Sequence, residues 1–147
     1  MTVDIRPFDR ADAEAVVALW RAAGLTRPWN DPHQDIERKL SVQPELFLVA
    51  MDVDAVIGSV MAGYDGHRGW LYYLASDPAR RGEGIARALV AAAEERLLAM
   101  GCPKVQLMVR PENEAARGFY AALGYAPFHT WTTGKRLIDD EPAAAAS

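Results

Sequence analysis

The chain has 147 residues and a formal net charge of −4, and 50% of its residues are hydrophobic. A chain of this length fits one domain and can bury a core without disulfide bonds. The acidic balance argues against a nucleic-acid partner, and the lone cysteine, Cys102, leaves no intrachain disulfide. The segment Met1–Phe8 lacks the basic and then apolar order of a signal peptide, and no apolar run reaches the roughly 18 residues of a membrane span. These features predict a cytoplasmic protein that contacts neither nucleic acid nor membrane.

Alternating and helically spaced apolar residues predict the elements of the first half of the chain. A strand is expected at residues 3–6, a helix ending at Gly24, a short helix at about Asp35–Ser41, and strands at Leu46–Met51, Ala55–Tyr64 and Trp70–Ser76. Turn-forming residues separate the last three strands, which predicts antiparallel pairing between them.

The second half of the chain is predicted to alternate helices and strands. A helix is expected from Ile85 to Met100, a strand over residues 105–109, a helix at about Glu114–Leu123 and a last strand at Tyr125–Gly134. This order predicts an α/β fold with a mixed sheet of α+β type. We expect one domain over residues 1–138, followed by an acidic, alanine-rich flexible tail at residues 139–147.

The segment Arg81–Ala86 lies between a predicted strand and a predicted helix and contains two glycines, Gly82 and Gly84. The first N–H groups of a helix have no partner inside the helix, and the helix dipole adds partial positive charge there. Glycines allow the backbone to approach a ligand closely. This corner is therefore a candidate phosphate site.

Three kinds of phosphate ligand suit such a corner. A dinucleotide fold requires a third glycine three residues after the second, where this chain has Arg87. A mononucleotide P-loop requires Lys and then Ser or Thr after its last glycine, and neither is present. The pyrophosphate of coenzyme A is the remaining alternative.

Arg81, Gly84 and Ala86 fill the signature of the GNAT acyl-CoA N-acyltransferases, which the chain resembles: Gln or Arg, two free positions, Gly, one free position, then Gly or Ala. The preceding residues 74–78 are similar to the end of the family's fourth strand. The family's later Asn…Ala…Tyr…Gly-aromatic segment is matched by Asn113, Ala116, Tyr120, Gly124 and Tyr125. At finer grain, residues 27–32, 63–69 and 134–138 resemble a YpeA-type bacterial subgroup.

The resemblance implies a GNAT fold, a mostly antiparallel sheet flanked by helices, with the pantetheine arm of acetyl-CoA between splayed fourth and fifth strands. The implied activity is acetyl transfer from acetyl-CoA to a primary amine of a peptide, a protein or a small molecule, by direct attack in a ternary complex. The implied cofactor-binding residues are Leu74, Ala75, Ser76, Arg81, Gly82, Glu83, Gly84, Ile85, Ala86 and Asn113.

Tyr120 is implied as the general acid that protonates the departing thiolate. Its spacing by itself favours a core tyrosine beside Phe119 and Leu123, and the match to the family position is what favours the catalytic role. Asn113 has two interpretations as well, a contact to the pantetheine arm or a cap of the helix that follows it. An acyl-CoA-binding sensor without catalysis is the alternative function, and the presence of Tyr120 argues against it.

The general base is not evident from the sequence. Some protein N-terminal acetyltransferases of the family carry a glutamate twelve residues before the tyrosine, where this chain has Met108. A lysine amine is only about 0.1% neutral at pH 7.4, whereas an α-amine is about 20% neutral, so a missing base handicaps lysine more. Asp31, Asp65 and His67 are candidates through water, and each also fits a plain turn residue.

The acceptor pocket is expected among the variable loops, and its candidate residues are Trp29, Asn30, Asp31, Tyr64, Asp65 and His67. The three histidines and one cysteine show no metal-ligand spacing, so no metal is expected. Ser59 does not lie in a nucleophile elbow, and Cys102 lacks a paired base. Family relatives also make a homodimer possible.

Overall fold

The structure is a computed structural model that describes residues 3–141, and its centre is a five-stranded sheet. The strands are β1 Asp4–Pro7, β2 Phe47–Asp52, β3 Ala55–Tyr64, β4 Gly69–Ser76 and β5 Val105–Gln106. The helices are α1 Ala13–Ala22, α2 Pro32–Leu40, α3 Ile85–Ala99 and α4 Glu114–Ala122. Strand order in the sheet follows chain order; β1 to β4 pair antiparallel, and β4 pairs parallel with β5. The mixed, mostly antiparallel sheet predicted from the sequence is confirmed.

Two apolar clusters cover the two faces of the sheet. One cluster contains the buried face of α3, with partly buried residues of α4 packed against it. The other contains the buried faces of α1 and α2, including Val16, Trp20 and Ile36. Because strand side chains alternate between faces, each central strand contributes to both clusters. None of the helices within residues 3–141 combines the length and the apolar character needed to cross a membrane.

A β-bulge interrupts the pairing of β3 with β4. Ser59 pairs with Ala75, but Met61 pairs with Tyr72, so two residues of β4, Tyr73 and Leu74, lie opposite one residue of β3. Tyr73 has φ of 52°, in the left-handed region that non-glycine residues rarely adopt. The bulge shifts the alternation of side chains, so that Tyr73 packs in the α1–α2 cluster while Leu74 packs in the α3 cluster.

β4 and β5 are paired only at their first residues. Gly69 pairs with Val105 and Trp70 pairs with Gln106, and no further pairs join the two strands in the described part of the chain. Beyond Trp70, this edge of β4 therefore faces a gap. The gap matches the splay that the family resemblance implies between the fourth and fifth strands.

Two sequence expectations about the C-terminal part are wrong. The strand expected at residues 105–109 spans only Val105–Gln106, and the strand expected at Tyr125–Gly134 does not form. Two large apolar residues of that segment are exposed, Phe128 with 51% and Trp131 with 88% of its surface accessible. A strand needs a neighbour to complete its hydrogen-bond ladder, and the local pattern does not report whether β5 continues far enough to provide one.

The first residues of the expected flexible tail, 139–141, are described by the structure, and one of them is bonded to the rest of the domain. Asp140 accepts hydrogen bonds from Arg38 Nη2 at 2.6 Å and from the Asp31 N–H at 2.9 Å, and its side chain is only 4% exposed. Residues 142–147 lie outside the described residues.

Candidate active site

The corner between β4 and α3 leaves backbone N–H groups without partners. Gly82 and Gly84 have φ of 85° and 81°, and an added Cβ at either would meet nothing within 4 Å. Gly84 is the N-cap of α3 and provides no side-chain hydrogen bond. The first helical hydrogen bond runs from the Ala88 N–H to the Gly84 oxygen at 3.0 Å, so the N–H groups of residues 85–87 have no helical acceptor.

The other two helices that begin after a loop are capped. Asp31 accepts from the His33 N–H at the start of α2, and Asn113 accepts from the Ala116 N–H at the start of α4, at 2.9 and 3.1 Å. The uncapped, glycine-lined start of α3 is therefore suited to an external anion. For Asn113, the helix-cap interpretation is the contact present, and contact with the pantetheine arm stays a prediction.

Close packing on the sheet holds this corner in place. A Cβ added to Gly58 of β3 would lie 2.7 Å from Ile85 Cγ2 and 2.8 Å from Leu89 Cδ1. The first turns of α3 thus rest directly on β3, which leaves no room for a side chain. This contact fixes the helix start beside the end of β4.

The arginines around the corner differ in their partners. Arg80 contacts Asp52 at 2.7 Å and Glu83 at 3.7 Å. Arg81 and Arg87 form no ion pair with the residues that the structure describes, and the first turn of α3 contains no acidic residue. Two guanidinium groups therefore remain available beside the free N–H groups.

A cleft of about 650 Å³ lies between this corner, the end of β4 and the end of α1. It is lined by Ala22, Ala23, Leu25, Leu74, Ala75, Ser76, Pro78, Arg80, Arg81, Gly82, Gly84, Ile85, Ala86, Arg87 and Phe119. Eight of the ten predicted cofactor-binding residues line it. The exceptions are Glu83, which is exposed and pairs with Arg80, and Asn113.

Backbone groups of β4 face the gap beside this cleft. The Asp77 N–H donates to the Ile57 oxygen at 2.9 Å, so residues 77 and 75 present their N–H and C=O groups to β3. Leu74 and Ser76 alternate with residues 75 and 77, so their N–H and C=O groups point to the opposite edge of β4, where β5 no longer pairs. These groups are therefore open to an extended ligand between the strands.

Tyr120 lies next to the cleft on α4. Its neighbour Phe119 lines the cleft and meets the Tyr120 ring edge-on at 5.0 Å, and the ring of Tyr125 is 5.5 Å away. Burial raises the pKa of Tyr120 to about 12. Its hydroxyl donates no hydrogen bond to any residue within 3–141, unlike that of Tyr125, which donates to Glu94 Oε2 at 2.6 Å.

The structure does not bring the six predicted acceptor residues together. Trp29, Asn30 and Asp31 precede the start of α2. The second group, which begins at Tyr64, lies near the other end of α2, because the side chain of Gln43, just past that end, exchanges two hydrogen bonds with the Tyr64 backbone. The nine residues of α2 separate the two groups by roughly 13 Å. Of the first group, Asn30 and Asp31 line a separate open depression of about 610 Å³, which Asp140 also lines.

The three candidate bases occupy turns and caps. The Asp65 carboxylate accepts from the N–H groups of His67 and Arg68, both at 2.8 Å, and these bonds hold its pKa below the ordinary value. The turn that contains Asp65 and His67 precedes β4, whereas the corner follows it, about 20 Å away along the strand. Asp31 caps α2. These contacts favour the turn and cap interpretations for Asp65 and Asp31.

Sequence reasoning missed several residues of this region. Arg87 and Phe119 line the cleft. Just before the bulge, the partly buried ring of Trp70 stacks with the exposed ring of Tyr72, with centroids 6.4 Å apart. Arg87 has the one detectable signal, a basic residue in the first turn of the helix after the glycines. The bulge residue Tyr73 carries no local signal.

The sequence matches the acetyltransferase (GNAT) family over residues 14–125. The chain belongs to the GNAT family of acetyltransferases. It is 54% identical to an acetyltransferase of Pectobacterium atrosepticum over 94% of this chain and 98% of that one. It is 52% identical to an acetyltransferase of Yersinia enterocolitica over 95% of this chain and 99% of that one.

Solved structures share the fold at lower identity. The aminoglycoside N-acetyltransferase AAC(6')-Iy in complex with CoA superposes with a TM-score of 0.74 at 19% identity, over 93% of this chain and 96% of that one. A chain of the NatC complex bound to Gag peptide and CoA superposes with a TM-score of 0.74 at 24% identity, over 88% and 87%. These structures share the fold of this GNAT acetyltransferase.

Proposed function

We propose that this GNAT enzyme transfers acetyl from acetyl-CoA to a primary amine, which attacks the thioester directly. The pyrophosphate of acetyl-CoA binds at the corner formed by residues 81–86. The observation that carries the proposal is the start of α3, uncapped and bordered by Gly82 and Gly84. The backbone N–H groups are the main contacts, with Arg81 and Arg87 adding charge from either side. Glu83 contributes its backbone and not its carboxylate, which pairs with Arg80.

The pantetheine arm is proposed to lie in the gap beside β4. The outward N–H and C=O groups of Leu74 and Ser76 match the amides of an extended arm, while Ala75 contributes to the wall of the cleft. The Leu74 N–H is the candidate donor to the thioester oxygen, on which negative charge develops as the carbonyl is attacked.

Tyr120 is proposed to donate a hydrogen bond to the departing sulfur. The amine nitrogen bonds to the carbonyl carbon, the C–S bond breaks, and one amine proton is lost so that the products are an amide and a thiol. A thiolate with an ordinary pKa near 8.5 is a weaker base than the Tyr120 phenolate. The phenol therefore stabilises the negative charge that develops on the sulfur while remaining protonated, and the proton lost by the attacking nitrogen is the one that converts the departing thiolate to the thiol.

The acceptor is proposed to enter from the side of the bulge. AAC(6')-Iy is named for a small-molecule acceptor and NatC is bound to a peptide, so the shared fold accommodates both classes. The stacked rings of Trp70 and Tyr72, of which Tyr72 is exposed, offer an aromatic surface on this side. The favoured acceptor amine is one already largely neutral near pH 8, because Met108 replaces the glutamate base and Asp65 is held by its turn.

The setting we propose is the cytoplasm, because the single cysteine, Cys102, is a buried free thiol. Residues 3–141 hold no cluster of His, Cys, Asp and Glu suited to a metal, and the proposed chemistry uses none. Homodimer formation stays a prediction.

The test is Tyr120→Phe, assayed as thiol release from acetyl-CoA. We expect turnover to fall about 10- to 100-fold, with the dissociation constant of acetyl-CoA changed less than twofold. Tyr125→Phe is the matched control, since it removes a second phenol of the same cluster that is already bonded to Glu94. Equal turnover in the Tyr120→Phe and wild-type enzymes would remove Tyr120 from the chemistry.

A further inference from the structure

A buried hydrogen-bond chain ends on the bulge residue of β4. Trp20 Nε1–H donates to Ser59 Oγ at 2.8 Å, and the Ser59 hydroxyl donates to the Tyr73 carbonyl oxygen at 2.9 Å. Trp20 and Ser59 are both fully buried. Since Ser59 has one hydroxyl proton, accepting from Trp20 directs that proton to Tyr73.

The side chain of Tyr73 is fixed by two further contacts. The Tyr73 ring stacks on Trp20 with centroids 3.9 Å apart, and its hydroxyl donates to Asp35 Oδ2 at 2.6 Å. A tyrosine with φ of 52° is in an unfavourable conformation, which persists only where surrounding contacts fix it. Ser59, Trp20 and Asp35 provide those contacts.

The bond to the Tyr73 carbonyl also determines the direction of the next N–H group. In a planar trans peptide the C=O of one residue and the N–H of the next point in opposite directions. The Tyr73 oxygen faces the Ser59 side chain, so the Leu74 N–H points away from Ser59, toward the edge of β4 that borders the gap. Hydrogen bonds in a chain also polarise one another, so donation to the Tyr73 oxygen strengthens the Leu74 N–H as a donor.

We propose that Ser59, assisted by Trp20, is a positioning residue that orients and polarises the Tyr73–Leu74 peptide toward the thioester oxygen. This inference rests on the proposed function, in which the Leu74 N–H is the donor. Ser59 touches neither substrate; it acts through one peptide unit. Its role is therefore separate from that of a serine nucleophile, which the sequence already excluded.

The test measures the thioester carbonyl directly. Acetyl-CoA labelled with ¹³C at the carbonyl is bound to the enzyme, and the carbonyl stretch is recorded by difference infrared spectroscopy without an acceptor. A donated hydrogen bond lowers this frequency. We expect wild-type enzyme to lower it relative to free acetyl-CoA and Ser59→Ala to lose about half of that shift. With an acceptor, we expect kcat to fall about tenfold and the dissociation constant of acetyl-CoA to change less than twofold.

Val60→Ala is the matched control, because Val60 is the next residue of β3, is equally buried, and packs in the opposite cluster. It removes core volume from the opposite face of β3 and keeps the Ser59 hydroxyl, so it should preserve the carbonyl shift. Trp20→Phe keeps an aromatic ring at this position and the Ser59 hydroxyl but removes the Nε1–H, and an intermediate shift is expected. If Ser59→Ala is poorly folded, this variant carries the test.

The outcomes separate the two proposals. A full wild-type shift in both Ser59→Ala and Trp20→Phe would overturn the positioning role and leave the Leu74 donor intact. No shift in the wild-type enzyme would remove the Leu74 donor, and the positioning role with it. A reduced shift in Ser59→Ala and a normal one in Val60→Ala supports the inference.

Discussion

The Gly84→Ala substitution tests the corner most sharply. At Gly84, φ of 81° is a conformation that costs an L residue about 1–2 kcal/mol. No atom lies within 4 Å of the added Cβ, so the folded protein meets this backbone cost and no steric clash. For a chain of this size, that cost lowers Tm by roughly 2–8 °C.

Binding should suffer beyond that loss of stability. The strained residue directly precedes the free N–H groups of residues 85–87, and relief of the strain by a change in its backbone angles would turn these groups away from the ligand. Loss of one charge-assisted hydrogen bond costs about 1.5–3 kcal/mol, so the KM for acetyl-CoA should rise about 10- to 100-fold. The assay is initial-rate thiol release with varied acetyl-CoA, beside direct calorimetric titration.

Gly101 provides the matched control at the other end of the same helix. It has φ of 86° and an equally open Cβ position, and the 15 residues of α3 place it about 22 Å from the corner. Gly101→Ala should lower Tm by a similar amount with KM unchanged. The reasoning is refuted if Gly84→Ala raises KM no more than Gly101→Ala does.

Two further predictions concern charged residues. Arg81→Ala should raise the KM for acetyl-CoA several-fold and weaken the salt dependence of KM. Arg80→Ala should change KM less, because Arg80 is bonded to Asp52. Titrations with acetyl-CoA at two salt concentrations compare the two variants. The Arg38 guanidinium lowers the pKa of Asp140 to about 2. The contact therefore stabilises the fold fully at pH values above the unfolded pKa of about 3.9, and this contribution is lost as the pH falls through about 2. Asp140→Asn should therefore lower Tm at pH 7, with the difference from wild type narrowing toward pH 2 in circular dichroism melts; a constant difference would contradict the assignment.

The corner was predictable because its determinants are local. Gly82 and Gly84 are required at positions of positive φ, and the apolar spacing that follows marks the start of α3. The long strands and helices were likewise predicted to within a few residues, since their periodicity persists over several turns or alternations.

The contacts that shape the active site were not predictable in this way. The bulge at Tyr73 depends on how two strands pair, and Tyr at positive φ has no sequence signature. Trp20 and Ser59 are 39 residues apart, and Asp140 reaches Arg38 across 102 residues. The strand predicted at Tyr125–Gly134 was wrong for the same reason, because the presence of a pairing partner is a property of the tertiary structure.

The measurement that most directly tests acetyl transfer is thiol release from acetyl-CoA at pH 8 in the presence of a panel of primary amines and short peptides. Acceptor-dependent release, accompanied by an acetylated product of matching mass, is the expected result, and the acceptor class follows from which members react. Release no faster than hydrolysis with every acceptor, from protein that binds acetyl-CoA by calorimetry, would contradict the proposal and favour a binding function.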